Sequence, residues 1–275
     1  MRGLAEFVMR GRKQAILASV CLGLLPLINL FSPVLVGLVL LRKGAREAFS
    51  VFVWAILPLI AWTLVGDFVP VLMLIGVYGL AWILRRTESW EYTLIAAIGI
   101  GLGVEGYLRF QPAVLDLVFQ QLEPYLSQNN VEGLEVNEIR GVVISIFGSV
   151  YMFLGIVLTM LARWMQAKLY NPGGFQKEFH QLRMEHRVAL LLLGFIILAS
   201  FEILIPQAWV LFFTLPLVFS GISLAHAVCE KRGLPSLALV MFYVLLLLPI
   251  TVQIIVCLAL IDSWYDFRKK LERAT

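Results

Sequence analysis

The chain has 275 residues, of which 60% are hydrophobic and only 15% are charged, and its formal net charge is +4. A soluble domain of this length would carry about a quarter charged residues, so the composition excludes an ordinary soluble protein. Several apolar runs approach the ~20 residues that an α-helix needs to cross a bilayer core of ~30 Å. These runs do not alternate as transmembrane β-strands do, so we predict an all-α, polytopic transmembrane helix bundle.

In chain order, the first part predicts a basic arm and six membrane segments. Residues 1–13 form an amphipathic arm that lies on the membrane surface. A six-span bundle follows over residues 14–162, and Pro26 is expected to bend its first segment. The segments are residues 14–30, 34–41, 48–66, 70–84, 90–110 and 142–162. Residues 111–141 form an acidic connector before the sixth segment.

The second part begins with residues 163–187, a basic connector that contains the turn Asn171-Pro172-Gly173-Gly174. Residues 188–262 form the C-terminal membrane helices, with apolar runs at 188–205, 208–228 and 234–261. Residues 263–275 form a charged tail. Pro249 lies in the middle of the last run, so that run is either one crossing or a bent double pass, and the chain has nine or ten membrane segments.

The basic residues predict the orientation of the chain. Twenty of the 22 Lys and Arg residues fall in the arm, in the tail and in connectors at 42–46, 85–86, 163–187 and 231–232. Short connectors rich in Lys and Arg stay in the cytoplasm, so we place the N-terminus and these connectors inside a bacterial cytoplasmic (inner) membrane. The acidic connector is then outside. A double pass at Pro249 would keep the tail inside, which we favour, whereas a single crossing would put it outside.

Four charged residues predict a ligand site near the outer side. Glu105 and Arg109 are four residues apart in the fifth segment, so they share a helix face and can pair. Charge inside a membrane segment is costly and usually has a partner or a function. Asp67 and Glu202 fall at a similar depth. We expect these residues to line an outward-facing pocket; the alternative is that charges near the membrane surface simply reach water.

The glycines of the fifth segment allow two interpretations. Gly101-Leu-Gly103-Val-Glu-Gly106 matches the dinucleotide-binding pattern, but no strand precedes it and it lies late in a membrane helix, so we reject that match. Gly99 and Gly103 form a G-x-x-x-G pair, which predicts close packing of a neighbouring helix.

Other chemistry has little support in the sequence. The three cysteines are scattered singly, and the three histidines form no ligand pattern, so we expect no metal and no cofactor. No nucleophile motif is present, which argues against an enzyme. Topology explains the basic groups, so nucleic acid is not an expected partner.

Two sets of motifs carry a family resemblance. The segment beginning Ala15-Ile-Leu-Ala18, followed by Leu30-Phe-Ser-Pro33 and Arg42-Lys-Gly44, resembles the start of the substrate-binding S components of energy-coupling-factor (ECF) vitamin transporters. The whole chain, including Leu169-Tyr-Asn-Pro-Gly-Gly174 and the stretch from Leu260 to Arg268, is similar to the uncharacterised YybS-like bacterial membrane proteins. The resemblance implies an S-component-like six-helix first part. The additional C-terminal helices depart from the S-component pattern.

These features predict a small-molecule binding or transport component whose partners are the lipid bilayer and a small ligand. The alternative is a non-transporting scaffold or regulator that recruits a membrane-protein partner through residues 163–187 and the tail. Neither the motifs nor the resemblance identifies a substrate.

Overall fold

The computed structural model describes residues 1–111 and 136–272, together with Asp116 and Gln120. These residues form thirteen α-helices and two short 3-10 turns, at Asn29–Phe31 and Gln207–Trp209, and contain no strand. The helices are α1 Arg2–Arg10, α2 Arg12–Leu24, α3 Ser32–Lys43, α4 Ala45–Thr63, α5 Val69–Thr87, α6 Trp90–Phe110, α7 Val136–Tyr170, α8 Gly174–Gln181, α9 His186–Ser200, α10 Val210–Lys231, α11 Ser236–Leu245, α12 Pro249–Tyr265 and α13 Phe267–Glu272. The predicted all-α bundle is confirmed.

Five of the described helices are long and apolar enough to cross a bilayer: α4, α5, α6, the part of α7 from Arg140, and α10 together with its preceding turn. Helices α2, α3 and α9 have 13, 12 and 15 residues and are shorter than a full crossing. Helix α7 continues to Tyr170, so the first third of the predicted basic connector is an extension of the sixth segment. Most of the acidic connector lies outside the described residues.

Helix α3 is the centre of the bundle. Every residue from Ser32 to Leu41 is buried, and α2, α4, α5 and α7 pack around it. A helix that is apolar on all sides belongs in lipid or in the core of a bundle, and here the neighbouring helices cover it. A Cβ added at Gly37 would lie 3.3 Å from the Cβ of Ala162, so the small residue lets α3 and α7 approach closely.

Side-chain contacts define two ends of the bundle. At the first, which we call the basic end, Arg12 pairs with Glu47 at 2.8 Å, and Arg85 donates to the carbonyl of Leu40 at 2.9 Å. Arg163 and Glu178 pair at the same end. At the opposite end, the Trp62 indole donates to the Gly23 carbonyl at 2.9 Å, and the Tyr107 hydroxyl donates to the Gly66 carbonyl at 2.9 Å. The basic groups therefore gather at one end, as the sequence predicts.

The C-terminal segment returns to the basic end. Helices α11 and α12 are bent by 113° at a short break before Pro249. The Lys231 ammonium, just before this segment, donates to the carbonyl of Arg268, just after it, at 2.7 Å. The two ends of this segment therefore lie side by side, as the favoured double pass expects. The tail lies beside the basic connector.

A buried ion pair holds the tail in place. Asp262 is fully buried and Arg268 is 7% exposed, and their charged groups approach to 3.5 Å. The Arg268 guanidinium also donates to the Leu182 carbonyl at 2.6 Å. Asp266 pairs with Arg183 at 3.1 Å. Burial alone would raise the pKa of Asp266, but hydrogen bonds from Lys269 and the charge of Arg183 hold that pKa below its ordinary value. These contacts join the tail to the connector.

The close approach of α6 and α7 uses a different glycine from the predicted pair. A Cβ added at Gly99 or Gly103 would meet no atom within 4 Å in the described structure, so these residues face open space. A Cβ at Gly101 would lie 2.8 Å from the Phe212 ring, and one at Gly148 would lie 2.8 Å from the Gly101 carbonyl oxygen. The helices therefore touch at Gly101 and Gly148, and the predicted contact at Gly99 and Gly103 is not made within the described chain.

Substituting Gly148 with Ala tests this contact. The new methyl group would meet the Gly101 carbonyl and the Phe212 ring, so we expect a loss of about 1–3 kcal/mol in the free energy of unfolding from overpacking. Gly99→Ala is the matched control and should be neutral or stabilising by up to about 1 kcal/mol, because it adds helix propensity in open space. Thermal melts of both variants in detergent measure the difference, and equal melting temperatures would contradict the assignment.

Labelling with a membrane-impermeant maleimide tests the position of the tail. In a variant whose three natural cysteines are serine, we expect Lys177→Cys and Lys269→Cys to label from one side of sealed vesicles and Glu202→Cys from the other. The physical reason is that α8 and the tail both lie at the basic end, whereas Glu202 lies at the opposite end. Labelling of Lys269→Cys together with Glu202→Cys would support the single crossing.

Candidate functional site

Glu105 is the charged group most deeply placed at the opposite end of the bundle. It lies on α6 one turn beyond Gly101, and it is only 2% exposed. A carboxylate at such a position needs hydrogen-bond donors, because an unpaired charge in an apolar environment costs several kcal/mol (~3–5 when a buried partner is removed). Its surroundings supply four donors from three segments of the chain.

Three side chains bind the Glu105 carboxylate. The Arg109 guanidinium donates to Oε1 from Nε at 3.0 Å and from Nη2 at 2.6 Å. The Trp209 indole donates to the same oxygen at 2.9 Å. The Ser145 hydroxyl donates to Oε2 at 3.0 Å. Three donors therefore share Oε1 and one binds Oε2, so both oxygens of the buried carboxylate have partners.

The site is the second of two stacked layers. In the first layer Gly101, Gly148 and Phe212 meet, and the glycines let the helices and the ring come together. The second layer lies one helical turn away. Glu105 is four residues after Gly101 on α6. Ser145 is three residues before Gly148, and Trp209 is three residues before Phe212. The rings of Trp209 and Phe212 lie 6.2 Å apart and connect the layers. The glycine contact therefore places the three polar side chains within hydrogen-bond reach.

Arg109 is the accessible part of the site. Its side chain is 50% exposed, whereas that of Glu105 is 3% exposed. A guanidinium carries five N–H groups, and within the described residues only two of them bind Glu105, while the others have no partner. Glu105 thus orients the guanidinium, and the remaining N–H groups point away from that bond. An anion arriving at this end would meet Arg109 and not Glu105.

Asp67 lies at the same end but performs a local function. Its carboxylate accepts a hydrogen bond from the backbone N–H of Val69 at 3.1 Å, which satisfies a free donor at the start of α5. The preceding turn is held against α6, where the rings of Phe68 and Tyr107 lie 5.2 Å apart. Asp67 is thus near the site, but its carboxylate makes no hydrogen bond to Arg109.

Glu202 lies in the turn between α9 and α10, with a left-handed backbone φ of 56°. Its side chain is exposed, and no hydrogen bond or ion pair of its carboxylate occurs within the part of the chain that the structure describes. The structure therefore brings Glu105 and Arg109 into direct contact and leaves Asp67 and Glu202 outside that contact.

Sequence reasoning missed Ser145 and Trp209. Both lie within predicted membrane segments, yet nothing in their own spacing links them to Glu105, which is 40 and 104 residues away. The one usable signal was that a buried carboxylate requires several donors. Among residues 1–111 and 136–272, no three His, Cys, Asp or Glu side chains come together in a way that could hold a metal ion.

Substituting Glu105 with Gln tests the structural part of the site. The amide keeps the shape but loses the charge that Arg109 binds, so we expect the free energy of unfolding to fall by about 2 kcal/mol, the range for hydrogen bonds to charged groups. Glu202→Gln is the matched control and should change stability by less than about 0.5 kcal/mol, as exposed sites do. Thermal melts in detergent compare the two, and equal effects would mean that the bonds to Glu105 do not stabilise the fold.

Comparison with known proteins yields no match. No protein-family model matches the chain, and neither a curated protein nor a solved structure matches it. The resemblances in the amino-acid sequence therefore stay predictions, and the function is argued from the geometry of the site.

Proposed function

We propose that this chain is a membrane-embedded binding component, of the kind that serves transport, and that it takes a small anionic molecule at Arg109. The observation that carries the proposal is the half-exposed Arg109 guanidinium, fixed in place by the buried Glu105 carboxylate. The multi-pass character of the chain rests on its five long apolar helices.

The chemistry of the guanidinium decides the class of ligand. Its planar set of N–H donors matches the two oxygens of a carboxylate or a phosphate, which it can bind in a bidentate manner. An arginine side chain without an intramolecular partner loses rotamer entropy when it binds an anion. A side chain that is already held by a carboxylate has lost that entropy before the anion arrives. Glu105 supplies that anchor through two hydrogen bonds to the Arg109 guanidinium, so a bound anion gains from pre-organisation.

The position of Arg109 fits capture of a solute from outside the cell. It lies at the end opposite to the basic groups, and by the positive-inside rule that end faces away from the cytoplasm of a bacterial inner membrane. A role in solute capture also agrees with the resemblance to ECF S components. The additional helices α9–α12 depart from the S-component pattern, so the proposal includes no ATPase partner.

The alternative function, a scaffold that recruits partners through the basic connector, has less support. Two of the connector's cations are already used within the chain, since Arg163 pairs with Glu178 and Arg183 pairs with Asp266. Cations that are bound internally offer less charge to a partner. Catalysis has no support either, because the Glu105 carboxylate is occupied by four donors.

Native mass spectrometry of the full chain, purified in mild detergent, tests the proposal. We expect the wild-type protein to carry a small anion that Arg109→Gln loses, while the equally charge-neutralising Arg187→Gln, at the basic end, keeps it. Arg109→Lys retains the charge without the bidentate geometry and should bind about tenfold more weakly, the equivalent of ~1.4 kcal/mol.

Glu105→Ala provides a second arm of the same experiment. Arg109 would lose its anchor, so we expect anion binding to be lost in protein that still inserts into the membrane. Anion retention in both Arg109→Gln and Glu105→Ala would show that the ligand binds elsewhere.

A further inference from the structure

A cavity lies at the basic end, away from Glu105 and Arg109. It is a cleft of about 670 Å³ between α7, α8 and α10. This volume falls within the ~300–1,000 Å³ range of ordinary small-molecule sites. Neither the sequence motifs nor the proposed function accounts for it.

The wall formed by α7 changes character along its length. Val157, Met160, Leu161, Trp164 and Lys168 line the cleft and recur at helical spacing, so they share one face of α7. Eleven residues separate Val157 from Lys168, a rise of about 16 Å along the axis. The wall is aliphatic inside the membrane-spanning part, has an indole next and ends in an ammonium group near the basic end. An occupant that fits this wall is apolar at one end and charged at the other.

The remaining walls are held in place by aromatic and hydrogen-bonded contacts. The rings of Phe175 and Phe179 stack at 6.0 Å, and Phe179 packs edge-on against His226 at 5.3 Å. His226 in turn shares a hydrogen bond of 2.8 Å with the Tyr243 hydroxyl. Ser223 donates to the Leu182 carbonyl at 2.9 Å and fixes the end of α8 against α10. The cleft is therefore pre-formed and does not have to be opened by its occupant.

Among the described residues that line the cleft, Lys168 is a cation without an anionic partner. Glu178 is paired with Arg163, and Glu230 is paired with His180 and accepts a hydrogen bond from Gln176. Lys168 lies over the Trp164 ring at 4.7 Å and has no carboxylate partner among the described residues. A negative group at the mouth of the cleft would complement this charge, whereas a second cation would not.

We infer that this cleft binds an acyl chain that carries an anionic head group and is drawn from the bilayer. The chain lies along Val157, Met160 and Leu161, between α7 and the phenylalanines of α8, and the head group meets Lys168. Basic pockets between membrane helices are suited to anionic lipid head groups for this reason. The acyl chain could belong to a phospholipid or to a free fatty acid, which share this chemistry.

Native mass spectrometry of the full chain, titrated with dioleoylphosphatidylglycerol and with dioleoylphosphatidylcholine, tests the inference. One Lys near a membrane surface changes affinity for an anionic lipid by about fivefold, so we expect the wild-type chain to favour the anionic lipid by about that factor. Lys168→Gln should abolish the preference. Lys177→Gln removes the same charge from an exposed position on α8 that does not line the cleft, and it should leave the preference intact.

A photoreactive acyl chain on phosphatidylglycerol locates the bound lipid, and oleate distinguishes its source. Crosslinks are expected on residues 157–167 of α7 and on the phenylalanines of α8. Competition by oleate would mean that one chain with an anionic head is sufficient, and failure of oleate to compete would identify a phospholipid; both results support the inference. Equal binding of the two phospholipids, equal effects of the two Lys substitutions, or crosslinks outside the cleft would overturn it.

Discussion

Backbone carbonyl groups at helix ends need donors when water is scarce, and this constraint governs the whole bundle. Several helices here end inside or beside the apolar region, so their last carbonyls cannot all rely on water. Side chains from other helices supply the donors. Trp62 binds the Gly23 carbonyl, Arg85 binds that of Leu40, and Arg268 binds that of Leu182. Short helices such as α2 and α3 are stable in this setting because their neighbours complete their ends.

The same requirement explains where charge is tolerated. Glu105 and Asp262 are both buried carboxylates, and each has an arginine beside it. Their partners differ in exposure, because Arg109 is half exposed whereas Arg268 is almost fully buried. The first pair therefore leaves donors available at the surface, and the second is buried where the tail joins the bundle. Comparable chemistry thus leaves an exposed guanidinium at one end of the bundle and a buried one at the other.

The glycines of α6 illustrate how far sequence patterns reach. Gly99, Gly101, Gly103 and Gly106 lie on several faces of one helix, so spacing alone offers more than one close-packing face. The contact forms at Gly101 because Gly148 and Phe212 come from distant parts of the chain and meet there. The pairing of Glu105 with Arg109 was predictable because it is local, at i and i+4. The other two partners of Glu105, Ser145 and Trp209, were not predictable, since no local rule links them to Glu105.

By itself, the sequence determined the all-α class, the extended apolar helices, the gathering of basic residues at one end and the local ion pair on α6. These follow from composition and from contacts between near neighbours in the chain. Only the tertiary structure decided that α3 is the buried centre, that the segment after Lys231 folds back beside the connector, and that Arg109 rather than Glu105 faces the surface. The reason is physical: which faces become buried, and which donors reach which carbonyls, depends on how distant helices pack together.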